Sequence, residues 1–515
     1  MAILPSTHIN VAAATLRTPE EMKKAETTLG TANEYVPFMP TMSPTAYQAA
    51  KAAAQAGGPQ AKATLAPTDV EPQAPATLRG VSYDGLTQTA SGGSFPPDTH
   101  GAVGHSYFVE AVNRRITAFN KAQPGAALCT FALQAFFGAP DNPFDPRVLY
   151  DQTWRRWVMV ATRKSASNTD PVRRFYLAVS RTENPCGPYW VYPSVGFGGG
   201  PFNAGDWLDY PGLGMGQDEV LVTGNVFDLP AGGFRFAMMV PIAKASIYNG
   251  LGFGGPVFTG LASTLQPPVV LDQNKNIYFL AANNLTHLHL YRGENLSNAF
   301  QATLVLQALV DVPDYAVPPN APQPGTAQLL DTLDRRFVNN STQVGDSLWN
   351  THTIRLGRTI YAAPHFYQLD TEGAGANTVK QQGFFYEGGT SHDFNASIAA
   401  NAGGEAFVTW NSTDVANTNA ALRHQARVRF SGRQPVDALG FISAGFPLFT
   451  SPVALTGNPS VAGVQRWGDY SAVSLDPSPG VTVGCGTNRR AWIVNEKINA
   501  AAVWGSRIGR IGFCD

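Results

Sequence analysis

Seven times between positions 96 and 500 the chain writes the same text. A short strand starts on small, acidic or amide residues, turns, and is followed by an apolar strand. Asp145-Pro146-Arg147-Val148 leads to Arg156-Trp157-Val158-Met159-Val160, and Asp209-Tyr210-Pro211-Gly212 leads to Glu219-Val220-Leu221-Val222. Pro268-Val269-Val270-Leu271 leads to Ile277-Tyr278-Phe279-Leu280, and Asn395-Ala396-Ser397-Ile398 leads to Ala406-Phe407-Val408-Thr409-Trp410. Asp469-Tyr470-Ser471-Ala472-Val473 leads to Ala491-Trp492-Ile493-Val494. Two further units begin at Pro97-Asp98-Thr99-His100 and at Leu348-Trp349-Asn350-Thr351-His352. Period-2 strands in repeated sheets suit a ring, and propellers close with 4–8 blades. The fold expected is all-β, a seven-bladed β-propeller with a partly helical or irregular N-terminal extension. A pair of β-sandwiches is the competing architecture, because inserts at 196–208 and 311–334 make the period uneven.

The composition fits many short strands. Gly at 51 and Pro at 38 supply turns, and 44% hydrophobic residues supply a large core. Lys and Arg number 36 against 37 Asp and Glu, which argues against nucleic acid as a partner. No apolar run approaches the ~18 residues of a membrane span.

Cys129, Cys186, Cys485 and Cys514 contain no C-x-x-C pair, and four cysteines allow three pairings. Cys485–Cys514 is favoured because both fall in the last sheet, which leaves Cys129–Cys186; buried free thiols are the alternative. Disulfides imply an extracellular, secreted protein. Residues 1–30 lack a basic segment followed by an apolar one, so a signal peptide is not expected in this numbering.

Residues 1–78 read as an N-terminal arm or linker, and 79–515 as the propeller. Thr18-Pro19-Glu20-Glu21 and Ser43-Pro44 are helix starts. The arm docks on the propeller or on a second subunit, which would give self-association, or it is a linker or pro-region.

Pro96-Pro97-Asp98-Thr99-His100-Gly101-Ala102-Val103-Gly104 resembles the opening motif of a family of exported bacterial and fungal β-propeller proteins, most of them uncharacterised. Arg156-Trp157-Val158, Leu348-Trp349-Asn350-Thr351-His352-Thr353, Arg466-Trp467-Gly468-Asp469-Tyr470-Ser471 and Trp504-Gly505-Ser506-Arg507 match in the same order. The resemblance covers about 90–513 and implies a propeller and export. It implies no reaction. His105 and the Gly-rich stretch through Cys485 depart from the pattern.

Strand starts in a closed ring converge on one mouth. Asp98, Asp209, His352 and Asp469 are therefore the catalytic candidates, as acid, base or proton abstractor. Asp98, Asp145, Asp209 and Asp469 are the metal candidates, and carboxylate and amide oxygens suit Ca²⁺. His100, Trp207, Tyr210, Trp349, Asn395 and Trp467 are the ligand-binding candidates, since flat rings with polar edges suit sugar faces. The opposing reading is structural, because Asp at a strand start accepts backbone N–H groups. His287-Leu288-His289 places two imidazoles on one strand face without a third ligand nearby. Ser180 and Ser471 lack a nucleophile-elbow context, and Gly196–Gly200 lacks the Lys of a phosphate loop. The expected function is an extracellular binding or scaffold propeller that takes a glycan or protein ligand in a central funnel. The alternative is a carbohydrate-active hydrolase or lyase.

Overall fold

A computed structural model describes residues 3–29, 35–36, 38–57, 75–163, 173–228, 232–282, 285–458, 460–461 and 463–515. Seven antiparallel blades form the body of the chain. Blade 1 begins with His100–Val103, blade 2 with Pro143–Asp151 and blade 3 with Asp206–Met215. Blade 4 begins with Pro268–Val270, blade 5 with Ser341–Val344, blade 6 with Ser391–Ala400 and blade 7 with Ala472–Leu475. Each first strand lies beside the first strands of both neighbours, and the seventh lies beside the first, so the ring is closed. Blades 3, 4 and 5 are joined by parallel bridges, Met215 with Val269 and Pro268 with Ser341. All first strands therefore run the same way along the axis. We call the face where they start the upper face and the opposite one the lower face.

Blade 5 is the unit the sequence pattern misassigns. Leu348–Ile354 is not its first strand: Ser347–Arg355 pairs on one side with Ser341–Val344 and on the other with Ala362–Asp370. The apolar text of a second strand hides a polar first strand, Ser341-Thr342-Gln343-Val344, that has no acidic start.

Closure uses both ends of the chain. The fourth strand of blade 7 is Thr77–Thr87, which pairs with Val503–Gly512. Glu110 of blade 1 locks it, accepting Leu86 N–H at 2.8 Å. The core is distributed between blades. Val103, Phe108, Trp492 and Ile508 fill the gap between blades 7 and 1. Trp349, Phe366, Ile398 and Trp410 fill that between blades 5 and 6. Each sheet thus buries both faces except at its edges, which explains the near-continuous apolar second strands.

The described part of the arm lies on the propeller. Ser6–Val11 adds a fifth strand to blade 3 and Thr15–Arg17 one to blade 2. Helix α1 (Pro19–Glu26) carries the capping box that Thr18 and Glu21 predict, and buries Met22 beside blade 1. Helix α2 (Pro44–Gln55) is held over the upper face by Lys51, which donates to Thr332 Oγ1 at 2.9 Å and Pro318 O at 3.1 Å.

The disulfides are Cys129–Cys186, joining blades 1 and 2, and Cys485–Cys514 in the last blade. They close chain separations of 57 and 29 residues. Loop-closure entropy gives roughly 4 and 3.5 kcal/mol for them. Cys129→Ala/Cys186→Ala is expected to lower the unfolding free energy, read from the urea midpoint, by about that larger amount. A midpoint unchanged relative to wild type would show that the blade 1–2 interface holds without it.

Candidate functional site

The first strands start on a repeated backbone device. Asp98 (φ 49°), Asp145 (φ 53°), Tyr210 (φ 56°), Thr264 (φ 52°) and Asn395 (φ 51°) all sit in the left-handed region at the start of blades 1, 2, 3, 4 and 6. The strand register shifts there in blades 2, 3 and 6, a bulge that turns the backbone into the axis. Asp and Asn tolerate this conformation better than other L-residues. The acidic strand start thus has a backbone cause in blades 1 and 2.

A second device is an Asn within the apolar second strand or, in blade 1, just past its end. Asn113 donates to Pro96 O and Asp98 Oδ2 and accepts Asp145 N–H from the next blade at 2.8 Å. Asn225 accepts Thr264 N–H at 2.7 Å, across to blade 4. Asn411 donates to Glu496 O of blade 7 at 2.8 Å, and Asn495 donates to Asn395 O of blade 6 at 3.3 Å. These amides tie blade to blade. The recurrence Val112-Asn113, Gly224-Asn225, Trp410-Asn411, Val494-Asn495 is visible in the sequence and is the signal that reading for acids passes over.

Asp98, Asp145, Asp209 and Asp469 do converge at the upper end of the axis, but they do not line an open funnel. All four are 5% exposed or less. Asp98 accepts the backbone N–H of Asp469 at 2.7 Å. Asp145 accepts the Tyr470 hydroxyl at 2.7 Å, and Asp469 pairs with Arg466 at 2.5 Å. Glu496 joins them, accepting Gly468 N–H at 2.6 Å. Burial, then the neighbouring carboxylates, pushes Asp98 well up, Asp145 to about 8 and Asp209 to about 7; burial also raises Glu496.

Three arginines cross this cluster. Arg147 donates to Pro211 O, Val338 O and Asn339 Oδ1, and its guanidinium lies 3.3 Å from the Tyr470 ring centroid. Arg336 binds Asp334 through two bonds of 2.8 Å and sits between Tyr210 (4.5 Å) and Phe38 (4.6 Å). Arg466 faces the other side of the cap, 5.5 Å from Phe38. Arg336 also donates to Met39 O, so the arm itself closes the mouth. Val36 is buried in the same cap with Phe144, Trp207 and Phe227. An aromatic–guanidinium stack therefore lies over the carboxylates, beside a small cavity lined by Asp331, Asp334, Arg336, Asn395 and Trp467.

The other candidates are equally enclosed. His352 lies on the second strand of blade 5, fully buried. It bonds Arg335 O at 2.7 Å and the Tyr367 hydroxyl at 3.1 Å, with its pKa held down to about 3 by burial. Among the described residues its hydrogen-bond partners include no carboxylate, and its burial keeps it away from any substrate. Trp349 and Trp467 are core, Trp467 donating to Asn411, and Trp207 donates to Arg163 O. Asn395 bonds Tyr470 O and Asn495, and Tyr210 donates to Asp469 O. None of these rings offers a free face to a sugar. Among the described residues no three His, Cys, Asp or Glu side chains form a metal-holding group. Asp98, Asp145, Asp209 and Asp469 thus do not fit Ca²⁺, which needs 6–8 oxygens. His287 pairs with Asp311 at 2.9 Å and His289 packs beside Tyr291, so that strand face holds no ligand trio.

The lower end of the axis is different. A narrow channel there, partly open to solvent, is lined by His100, Tyr150, Gln152, Asn340, Thr342 and Ser474 with Val269, Leu271, Val473 and Leu475. No carboxylate, Lys or Arg lines it. His100 accepts Val148 N–H at Nδ1, which puts its proton on Nε2, and burial then Arg147 keep it neutral. Gln152 and Asn340 are half-buried. Of the sequence candidates, His100 alone reaches this channel; Gln152 follows the first strand of blade 2, Asn340 precedes that of blade 5, and neither carries distinguishing text.

This is a seven-bladed β-propeller whose upper carboxylates are buried and whose lower channel is partly open to solvent. No protein-family model matches the sequence, and no curated protein does. Solved structures similar to it include a subtype N10 neuraminidase-like protein of A/little yellow-shouldered bat/Guatemala, at 9% identity over 70% of this chain and 97% of that one, TM-score 0.34. Another is the parainfluenza virus 5 hemagglutinin-neuraminidase ectodomain, at 10% identity over 76% and 86%, TM-score 0.36. A third is exo-beta-1,3-galactanase from Phanerochaete chrysosporium, at 12% identity over 65% and 80%, TM-score 0.28. Likenesses this distant do not bear on what the site does.

Proposed function

We propose that the protein is an extracellular binding propeller that takes the end of a neutral glycan in its lower axial channel. The observation that carries this is the contrast between the two ends of the axis. The upper carboxylates are covered and engaged, whereas the lower channel has uncharged donors and acceptors beside an apolar wall. A polyhydroxylated ligand without charge matches that lining. Two disulfides support a secreted location. The hydrolase or lyase reading loses its support with the sealing of Asp209 and Asp469, since general acid–base chemistry needs the substrate within hydrogen-bond reach.

Labelled protein on an array of neutral and acidic glycans tests this. A neutral glycan is expected to bind, and Gln152→Ala/Asn340→Ala to weaken it at least about tenfold, the size of one or two lost hydrogen bonds. New reducing ends or unsaturated products on incubation would overturn the binding reading in favour of catalysis. Retention of acidic glycans alone would overturn the channel assignment.

A further inference from the structure

One buried ion pair in this protein has the surroundings of a reacting pair. Asp151 ends the first strand of blade 2, and Lys244 opens the short helix Lys244–Ile247 after the third strand of blade 3. Their side chains meet across the blade boundary, with Lys244 Nζ 2.6 Å from Asp151 Oδ2. Asp151 is 2% exposed and Lys244 5%. Leu149 and Ile247, close to them in the chain, belong to the apolar core shared by the two blades.

Both oxygens of the Asp151 carboxyl are committed to donors. Oδ1 accepts two backbone N–H groups of the turn that follows, Thr153 at 2.9 Å and Trp154 at 3.0 Å. Two such N–H groups on one oxygen are what stabilises the oxyanion of an acyl-transfer intermediate. Oδ2 accepts the Tyr248 hydroxyl at 2.7 Å, and burial, then Asp151 itself, keeps that hydroxyl protonated. Lys244 Nζ is oriented by a further bond, to Gly216 O at 2.7 Å. A nitrogen this near one carboxyl oxygen has the carboxyl carbon at about the 3–3.5 Å of a near-attack pair.

We propose that Lys244 and Asp151 condense into an isopeptide bond that ties blade 2 to blade 3. One ammonium proton passes to Oδ2, a transfer favoured away from water because it removes two buried charges. The amine attacks Cγ, and the N–H groups of Thr153 and Trp154 hold the negative charge that moves onto Oδ1. A second proton moves from the nitrogen to Oδ2 through the Tyr248 hydroxyl, which gives one proton and takes another. The Cγ–Oδ2 bond breaks, the C=O double bond at Oδ1 re-forms, and one water leaves. The product is a neutral amide, and the step consumes no oxidant, reductant or co-reactant. Cys129–Cys186 joins blades 1 and 2, so the new bond extends the covalent frame to blade 3. The inference is independent of any ligand in the lower channel.

Intact-mass spectrometry of the reduced full chain tests it. Wild type is expected to be lighter than its sequence by one water, and its proteolytic digest to contain one branched peptide that joins Lys244 to Asp151. Lys244→Arg keeps a cation beside Asp151 and is expected to show the full sequence mass. Wild type at full sequence mass overturns the proposal. So does a missing water that persists in Lys244→Arg, which would assign the loss to a cyclised side chain elsewhere. The branched peptide is read on wild type alone, so it decides the matter even where the variant does not fold.

Discussion

Replacing Arg466 by methionine is expected to lower the unfolding free energy by about 3–5 kcal/mol. The side chain is 4% exposed and lies across the upper end of the axis. It is the charge partner of Asp469, which is also buried and stands near Asp98, Asp145 and Asp209. Without the guanidinium, a buried carboxylate is left without its hydrogen-bonded charge partner. The cap suffers as well, because Arg466 stacks on Phe38 of the arm. The double variant Arg466→Met/Asp469→Asn is expected to recover at least half of the loss, as coupled neighbours do. A catalytic Asp469 would behave otherwise, since removing it would abolish turnover with little cost in stability. Urea midpoints of the two variants decide the matter, and a loss below ~1 kcal/mol for Arg466→Met would contradict a structural role.

Stability is also expected to carry a carboxyl contribution that is lost between about pH 4 and about pH 8. Glu110, Asp145, Asp209 and Glu219 are all held up, by burial first, to about 7, 8, 7 and 7. A group raised in the folded state contributes its stability below its unfolded pKa and loses it as pH rises through the folded one. Glu110 alone, moved from 4.5 to about 7, accounts for roughly 3 kcal/mol, lost between those two values. His100, His352 and His365 act in the opposite sense, because burial keeps them neutral while the unfolded chain protonates below about 6.5. The difference in unfolding free energy between wild type and Glu110→Gln should therefore fall by roughly 3 kcal/mol from about pH 4 to about pH 8 and level off above that. A difference that stays flat across that window would show that Glu110 is not held in the uncharged form.

The ring was legible in the sequence because each second strand is buried on both sides and reads as apolar text. Its phase was less secure. In blade 5 Ser341-Thr342-Gln343-Val344 lacks the acidic start, so the stronger Leu348-Trp349 text took its place. The convergence of Asp98, Asp145, Asp209 and Asp469 was also legible, since it follows from closure alone. Their burial was not. It depends on Phe38 and Val36, which are remote in sequence and lie in a segment with no apolar periodicity, and on Arg147, whose partners come from other blades. The acidic starts suggested chemistry, yet at Asp98 and Asp145 a left-handed backbone and a neighbouring donor explain the residue type. The open end of the axis carries ordinary residues, Gln152 and Asn340, that nothing in their local sequence sets apart.

The division of labour between the two ends of the axis is tested most directly by comparing Asp209→Asn with Asn340→Ala in binding to the neutral glycan that the array selects. Asp209→Asn should bind with unchanged affinity, and Asn340→Ala at least about tenfold more weakly. Loss of binding in Asp209→Asn, with Asn340→Ala unaffected, would place the ligand at the upper mouth and contradict the account.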